Sequence, residues 1–260
     1  MALEGKTAVV SGAAMGIGKA VSEILLENGA KVALLDINEA AAESLLETLR
    51  KKHGAGKSLF VKCDVESEEQ IKAAFQKTVE TFGGIDIVCN NAGILTESNW
   101  KKTISINLLS VIKATYIALE HMSKLSGGQG GIIINTASMA GLGPFSCCPV
   151  YTAAKFGVVG FTRAMAGASE ELGYGIRFNA VCPGFVQTDL LLKIPDGLGQ
   201  FQALGESLEQ MKEKMGVLST SEVAEAFLEL AKDETKNGQA ILVMPKQRSY
   251  VNFASLVSKE

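Results

Sequence analysis

Thr7-Ala8-Val9-Val10-Ser11-Gly12-Ala13-Ala14-Met15-Gly16-Ile17-Gly18 is the stretch that decides the fold. A short apolar run of β character breaks at a glycine-rich turn and continues as an amphipathic helix to Asn28. Glycines in such a turn let the backbone approach a pyrophosphate, and the helix that follows presents free N–H groups and the positive end of its dipole. The spacing is G-x-x-x-G-x-G and not the commoner G-x-G-x-x-G; a glycine turn alone also suits a plain strand–helix connection.

Working outward, the second strand covers 31–35 and delivers Asp36, eighteen residues after Gly18. A carboxylate at that point accepts hydrogen bonds from a ribose diol and repels a 2′-phosphate by several kcal/mol, roughly, at short range. Met15 in the turn offers no basic partner for such a phosphate. NAD is therefore expected over NADP. Asn38 caps a helix to about residue 52, and a third strand at 58–62 leads to Cys63-Asp64-Val65, with Asp64 placed to meet an adenine edge. Ser67 and Gln70 read as a capping box for a helix ending near Phe82. The apolar strand at 85–89 runs into Asn90-Asn91-Ala92-Gly93, at the sheet edge where open α/β sheets bind ligands. Further strands are expected at 132–135, 176–182 and 240–244, with helices between them.

The chemistry is carried by Tyr151-Thr152-Ala153-Ala154-Lys155, with Ser138 thirteen residues before the tyrosine. Spacing of four puts Tyr151 and Lys155 on one helical face. A free phenol titrates near ~10, and lowering it by roughly 3 units takes about 4 kcal/mol, which an ammonium and a cationic cofactor ring in a dry cleft can provide. Ser138 would hold the substrate oxygen. Alone, the five residues suit an ordinary surface helix equally well.

Composition bounds the rest. The chain has 260 residues and a net charge of −3, which argues against a nucleic-acid surface; the Lys51-Lys52-His53 cluster suits a helix C-terminus better than a binding patch. Five cysteines without framework spacing suggest a reducing compartment and a cytoplasmic location. No metal is expected, because adjacent Cys147 and Cys148 make poor joint ligands and only His53 and His121 remain. The strand pattern begins without a signal-peptide-like region, and no apolar run approaches a membrane span.

Together the glycine turn, Asp64, Asn90-Asn91-Ala92-Gly93, Asn107, Ser138, Tyr151 with Lys155, and Pro183-Gly184 resemble the short-chain dehydrogenase/reductase family over essentially the whole chain. The resemblance implies one domain over 1–260 with an α/β, Rossmann-type, doubly wound, parallel seven-stranded sheet in three α/β/α layers, and NAD as cofactor. It implies a catalytic set of Asn107, Ser138, Tyr151 and Lys155, with Asn107 kinking its helix and holding a water that links Lys155 to solvent. Cofactor contacts are implied at Gly12, Met15, Gly16, Ile17, Gly18, Asp36, Ile37, Cys63, Asp64, Val65, Asn91, Ala92, Gly93, Tyr151, Lys155, Val186 and Thr188. Substrate contacts are implied at Ser138, Cys148 and Phe185. The Tyr151 helix and its predecessor would pair with a second subunit in a homodimer. The segment 190–218, apolar and then helically spaced at Leu204, Leu208, Met211 and Met215, suits a lid over a long apolar substrate, or plain core.

Within the family the chain is most similar to members that oxidise prostaglandins, so the expected reaction is oxidation of a prostaglandin 15-hydroxyl to the ketone. Those members carry a glutamine three residues before the tyrosine where this chain has Cys148, a weak hydrogen-bonding group. Two readings therefore stand beside it: oxidation of another apolar alcohol, such as a hydroxy fatty acid or steroid, and a non-catalytic NAD-sensing module.

Overall fold

A computed structural model describes residues 2–254. Eight strands form one sheet in the order β3-β2-β1-β4-β5-β6-β7-β8. The strands are β1 (Thr7–Ser11), β2 (Lys31–Asp36), β3 (Ser58–Lys62), β4 (Ile87–Asn90), β5 (Gly131–Thr136), β6 (Ile176–Pro183), β7 (Ala240–Met244) and β8 (Gln247–Tyr250). The first seven are parallel, and β8 pairs antiparallel with β7. The sheet thus has one strand more than the seven expected. Met244 pairs with Gln247 across a two-residue turn in which Lys246 takes φ 64°. Polar Gln-Arg-Ser-Tyr carries no apolar alternation, and an edge strand needs none.

Successive residues of the central strands face opposite layers, which gives two apolar cores. Val10, Val32, Leu34, Cys89 and Ile134 meet α1 (Gly16–Glu27), α2 (Glu39–His53) and α10 (Thr220–Lys232) on one face. Val9, Ala33, Leu35, Val88 and Ile133 meet α3 (Glu68–Phe82) and the helix carrying Ile117 and Met122 on the other. The strand order reverses at β1 and β4, so their carboxyl ends flank the crevice where doubly wound sheets bind ligands.

Local signals account for several helix ends. Asn38 caps α2 through Ala41 N–H, and Ser67 caps α3 through Gln70 N–H. The reciprocal half of the expected box at Ser67 is missing, because Gln70 Oε1 instead accepts Asp64 N–H at 2.9 Å. A complete box occurs at Ser219 and Glu222, ahead of α10. The long apolar helix is divided: α4 (Trp100–Ile104), one π turn (Ser105–Leu109) and α5 (Ser110–Met122). By length and composition alone Trp100–Met122 would suffice to cross a membrane. Its apolar side, with Ala114, Ile117, Ala118 and Met122, packs on the sheet, as a core helix does. Residues 189–215 form α7 (Asp189–Leu192), α8 (Ile194–Gly197), a 3₁₀ segment (Gly199–Leu204) and α9 (Gly205–Met215).

Candidate active site

The glycine turn leaves β1 at its carboxyl end. Gly12 takes φ 63°, and a Cβ there would sit 2.9 Å from Ala92 Cα. A Cβ on Gly18 would fall 2.0 Å from Gly12 O, so the turn closes only with hydrogen at that position. Asn91 stitches the turn to its surroundings: Nδ2 donates to Ser11 O and Gly12 O, and Oδ1 accepts from Thr136 Oγ1. Met15 precedes α1 without a side-chain cap, which leaves the first-turn N–H groups without a side-chain acceptor. Beside them lies a cleft of about 330 Å³, lined by Gly16, Lys19, Ala20, Glu23, Gln187, Thr188, Asp189 and Thr220.

Asp36 is buried at the end of β2; its Oδ2 accepts Ala14 N–H at 2.9 Å and its Oδ1 accepts Asn38 N–H at 2.9 Å. Each oxygen keeps a lone pair for a hydroxyl. A dinucleotide therefore fits on three observations: the backbone cradle that a Cβ would fill, the uncapped helix start, and the acid with spare acceptor capacity. Ile37 stands two-thirds exposed at the rim (66%). Cys63 reaches the same edge only with its backbone, since its thiol lies in the core and burial pushes it up to about 12. Asp64 Oδ1 accepts Glu66 N–H, and Val65 is half-buried beside it. Val186 is buried and bridges to Leu218, whereas Thr188 caps α7 with its methyl group toward Gly16.

The second half of the site surrounds α6 (Pro149–Leu172). Lys155, fully inside, donates from Nζ to Thr136 O at 2.8 Å and lies 5.5 Å from the centre of the Tyr151 ring. Ser138 follows β5; its Oγ accepts Ala140 N–H at 3.1 Å, leaving its own hydroxyl proton to donate toward Tyr151 or a bound oxygen. Asn107 sits in the π turn, fully buried. Its Oδ1 accepts Ile94 N–H, and its Nδ2 donates to Ile94 O and Thr103 O. A Cβ on Gly93 would lie 2.8 Å from Asn107 Oδ1 and 3.8 Å from Lys155 Nζ, so these three residues meet. A single π turn inside an α-helix is a recurrent mark of functional positions. The expected four thus converge at the carboxyl edge of the sheet.

The electrostatics differ from the sequence expectation in one respect. Burial raises Tyr151 to about 12, with Ser138 pulling the other way, and burial lowers Lys155 to about 8. Ionising Tyr151 at neutral pH from there takes roughly 5 units, about 7 kcal/mol, and not the smaller amount reckoned from a free phenol. Across 5.5 Å at an effective dielectric of 20, the lysine charge supplies about 3 kcal/mol.

Over Tyr151 lies a separate apolar cluster of Leu95, Cys147, Cys148, Phe185, Leu198 and Leu208, with Tyr151, Leu190, Leu191, Ile194 and Met215 packed against it. Cys148 is buried there with its sulfur 3.9 Å from that of Cys147, and burial raises both thiols. Two participants escaped the sequence reading: Thr136, through its carbonyl, and Glu97, whose buried carboxylate holds the start of α6 from 54 residues away. Neither leaves a local signal. Among the described residues no group of three potential metal ligands occurs.

Residues 6–198 match the family model described as short chain dehydrogenase. The chain is 45% identical over 240 residues to human 15-hydroxyprostaglandin dehydrogenase [NAD(+)], covering 92% of this chain and 90% of that one. It is 39% identical over 199 residues to 3beta-hydroxysteroid dehydrogenase 2 of Eggerthella lenta, covering 72% and 74%. A solved dehydrogenase/reductase from Sinorhizobium meliloti 1021 superposes with a TM-score of 0.78 at 27% identity, covering 93% and 94%.

Proposed function

The chain belongs to the short-chain dehydrogenase family, and from that membership we propose that it oxidises a secondary alcohol of a lipid-like substrate, foremost the 15-hydroxyl of a prostaglandin, to the ketone. It is an NAD-dependent oxidoreductase. The observation that carries the substrate class is the apolar cluster from Leu95 to Leu208 over Tyr151, continuous with the segment 190–218 as its lid.

NAD would be held by the glycine turn at Gly12, Met15, Gly16, Ile17 and Gly18, by Asp36 and Ile37 at the ribose, by Cys63, Asp64 and Val65 at the adenine, and by Asn91, Ala92, Gly93, Val186 and Thr188 nearer the reacting end. When bound, its oxidised ring supplies the hydride acceptor and a second positive charge. Tyr151 takes the hydroxyl proton through its phenolic oxygen. Ser138 donates its hydroxyl proton to the reacting oxygen, since its bond with Ala140 N–H uses one lone pair of Oγ and leaves that proton free. Lys155 stabilises the tyrosinate and binds ribose, held straight by Thr136 O. Asn107 keeps the Gly93–Ile94 backbone against Lys155, and it would serve there to hold a water that links Lys155 to solvent. Phe185 and Cys148 contact the substrate.

Incubation with NAD⁺ and a panel of prostaglandins, hydroxy fatty acids and hydroxysteroids, read as NADH absorbance, tests the proposal. Fastest turnover of a prostaglandin supports it; preference for a steroid or a hydroxy fatty acid favours the second reading, which Cys148 in an apolar setting supports. The outer faces of α4 to α6 expose Trp100, Leu109, Tyr116 and Phe156, and we propose that they form a homodimer, to be checked by sedimentation. Five buried free thiols suit a cytoplasmic location, testable by cell fractionation.

A further inference from the structure

Helix α6 begins without the means to cap itself. Cys148 makes no side-chain cap bond and Pro149 has no N–H, so the next free donors, Val150 and Tyr151, need an acceptor from elsewhere. Glu97 provides it. Its Oε2 accepts Val150 N–H at 3.0 Å and its Oε1 accepts Tyr151 N–H at 3.0 Å, and the residue is 7% exposed. Both carboxylate oxygens are thus committed to the first turn of the helix that carries the proton acceptor, at the end where its dipole favours negative charge.

The loop bearing Glu97 is itself fixed. Asn107 binds both polar groups of the Ile94 backbone, Thr103 Oγ1 donates to Thr96 O at 2.6 Å, and Glu97 N–H donates to Gly197 O at 2.7 Å. A Cβ on Gly197 would fall 2.5 Å from Leu95 O, so α8 and this loop touch backbone to backbone. One residue therefore grips the segment over the apolar cluster by its main chain and the catalytic helix by its side chain.

We propose that Glu97 is a positioning residue for the reaction: its two-handed grip sets the register of Tyr151 relative to Ser138 and to the seated lid. This rests on the reading of Tyr151 as proton acceptor. Glu97→Gln keeps the shape but replaces one acceptor oxygen by an NH₂ that faces another donor, releasing one of the two N–H groups. A displacement of the order of an ångström at a reacting group lowers turnover by about 10- to 100-fold.

The test compares Glu97→Gln with the unmodified protein at a temperature where circular dichroism shows both folded. Expected are a kcat at least tenfold lower on the best alcohol, NADH affinity within twofold, and a displaced Tyr151 signal in fluorine NMR of protein labelled with fluorotyrosine. The signal is assigned through Tyr151→Phe and needs no substrate, so it decides the matter even if the alcohol proves wrong. Glu97→Asp, which keeps the charge and shortens the reach, should give an intermediate loss and serves if the glutamine variant does not fold. A kcat within twofold, or an unmoved Tyr151 signal with only the melting temperature lowered, overturns the proposal.

Discussion

Asp36 Oδ2 accepts the backbone N–H of Ala14 at 2.9 Å, so the acid that would select the cofactor also anchors the glycine turn. NAD should be strongly preferred over NADP, since a 2′-phosphate would meet this carboxylate at close range. Asp36→Ala should narrow the preference and weaken NAD⁺ binding too, because the Ala14 donor loses its acceptor; a lost bond of this charge-assisted kind is worth about 1.5–3 kcal/mol. Titrating both cofactors into the two proteins checks this. Equal use of NAD and NADP by the unmodified protein would sink the assignment of Asp36.

Tyr151→Phe should abolish turnover while NAD⁺ affinity stays within a few-fold, since only the phenolic oxygen is removed. Lys155→Ala should damage both, because the ammonium is proposed to serve the tyrosinate and the ribose together. Steady-state rates with parallel NADH binding measure the split. More than a few per cent of activity in the phenylalanine variant would require another base.

Lys155 makes the free fold less stable, and the pH at which it does so follows from its shift to about 8. Below pH 8 both folded and unfolded chains hold the proton, and the folded state bears the full cost of a buried ammonium, about 3 kcal/mol for roughly 2.5 units. Between 8 and 10.5 the unfolded chain holds more protons, so this cost fades as pH rises. Lys155→Met should therefore stabilise the free protein near pH 7 by about 1–3 kcal/mol, allowing for the lost bond to Thr136 O, and the gain should shrink toward pH 10. Urea titrations at the two pH values check it. Tyr151, raised to about 12, works oppositely: its neutral form favours folding below pH 10, and that contribution is lost as pH climbs toward 12.

The glycine turn, Asp36 and the Tyr151–Lys155 pair were readable because each is a local pattern: a backbone that excludes Cβ, an acid at a strand end, a helical spacing of four. The seven parallel strands were readable from apolar runs bounded by turns. What escaped reading is non-local or main-chain. Glu97 reaches α6 across 54 residues, Thr136 contributes a carbonyl that any residue would have, and β8 is held by backbone pairing without an apolar pattern. The depth at which Tyr151 and Lys155 are buried, which sets the direction of both shifts, likewise comes from packing beyond their own helix.

Cys148 is where the substrate is decided. It sits 4% exposed among Leu95, Phe185, Leu198 and Leu208, with the Cys147 sulfur 3.9 Å from its own and the Thr152 hydroxyl as its other polar neighbour. A thiol so placed offers little to a reacting hydroxyl, which Ser138 and Tyr151 must then hold alone. If the substrate is a prostaglandin, Cys148→Gln restores one neutral hydrogen bond, worth about 0.5–1.5 kcal/mol, and kcat/KM on prostaglandin E-type alcohols should rise by about tenfold or less. NAD⁺ binding should not change, because Cys148 lies in the apolar cluster away from the glycine turn. The opposing force is volume: a longer side chain in a closed apolar cluster costs about 1–3 kcal/mol when nothing moves aside. Should the glutamine variant lose activity while the unmodified protein prefers a steroid or a hydroxy fatty acid, packing has outweighed hydrogen bonding. Cys148 would then be shaping the pocket for that other alcohol, and the prostaglandin assignment would fall.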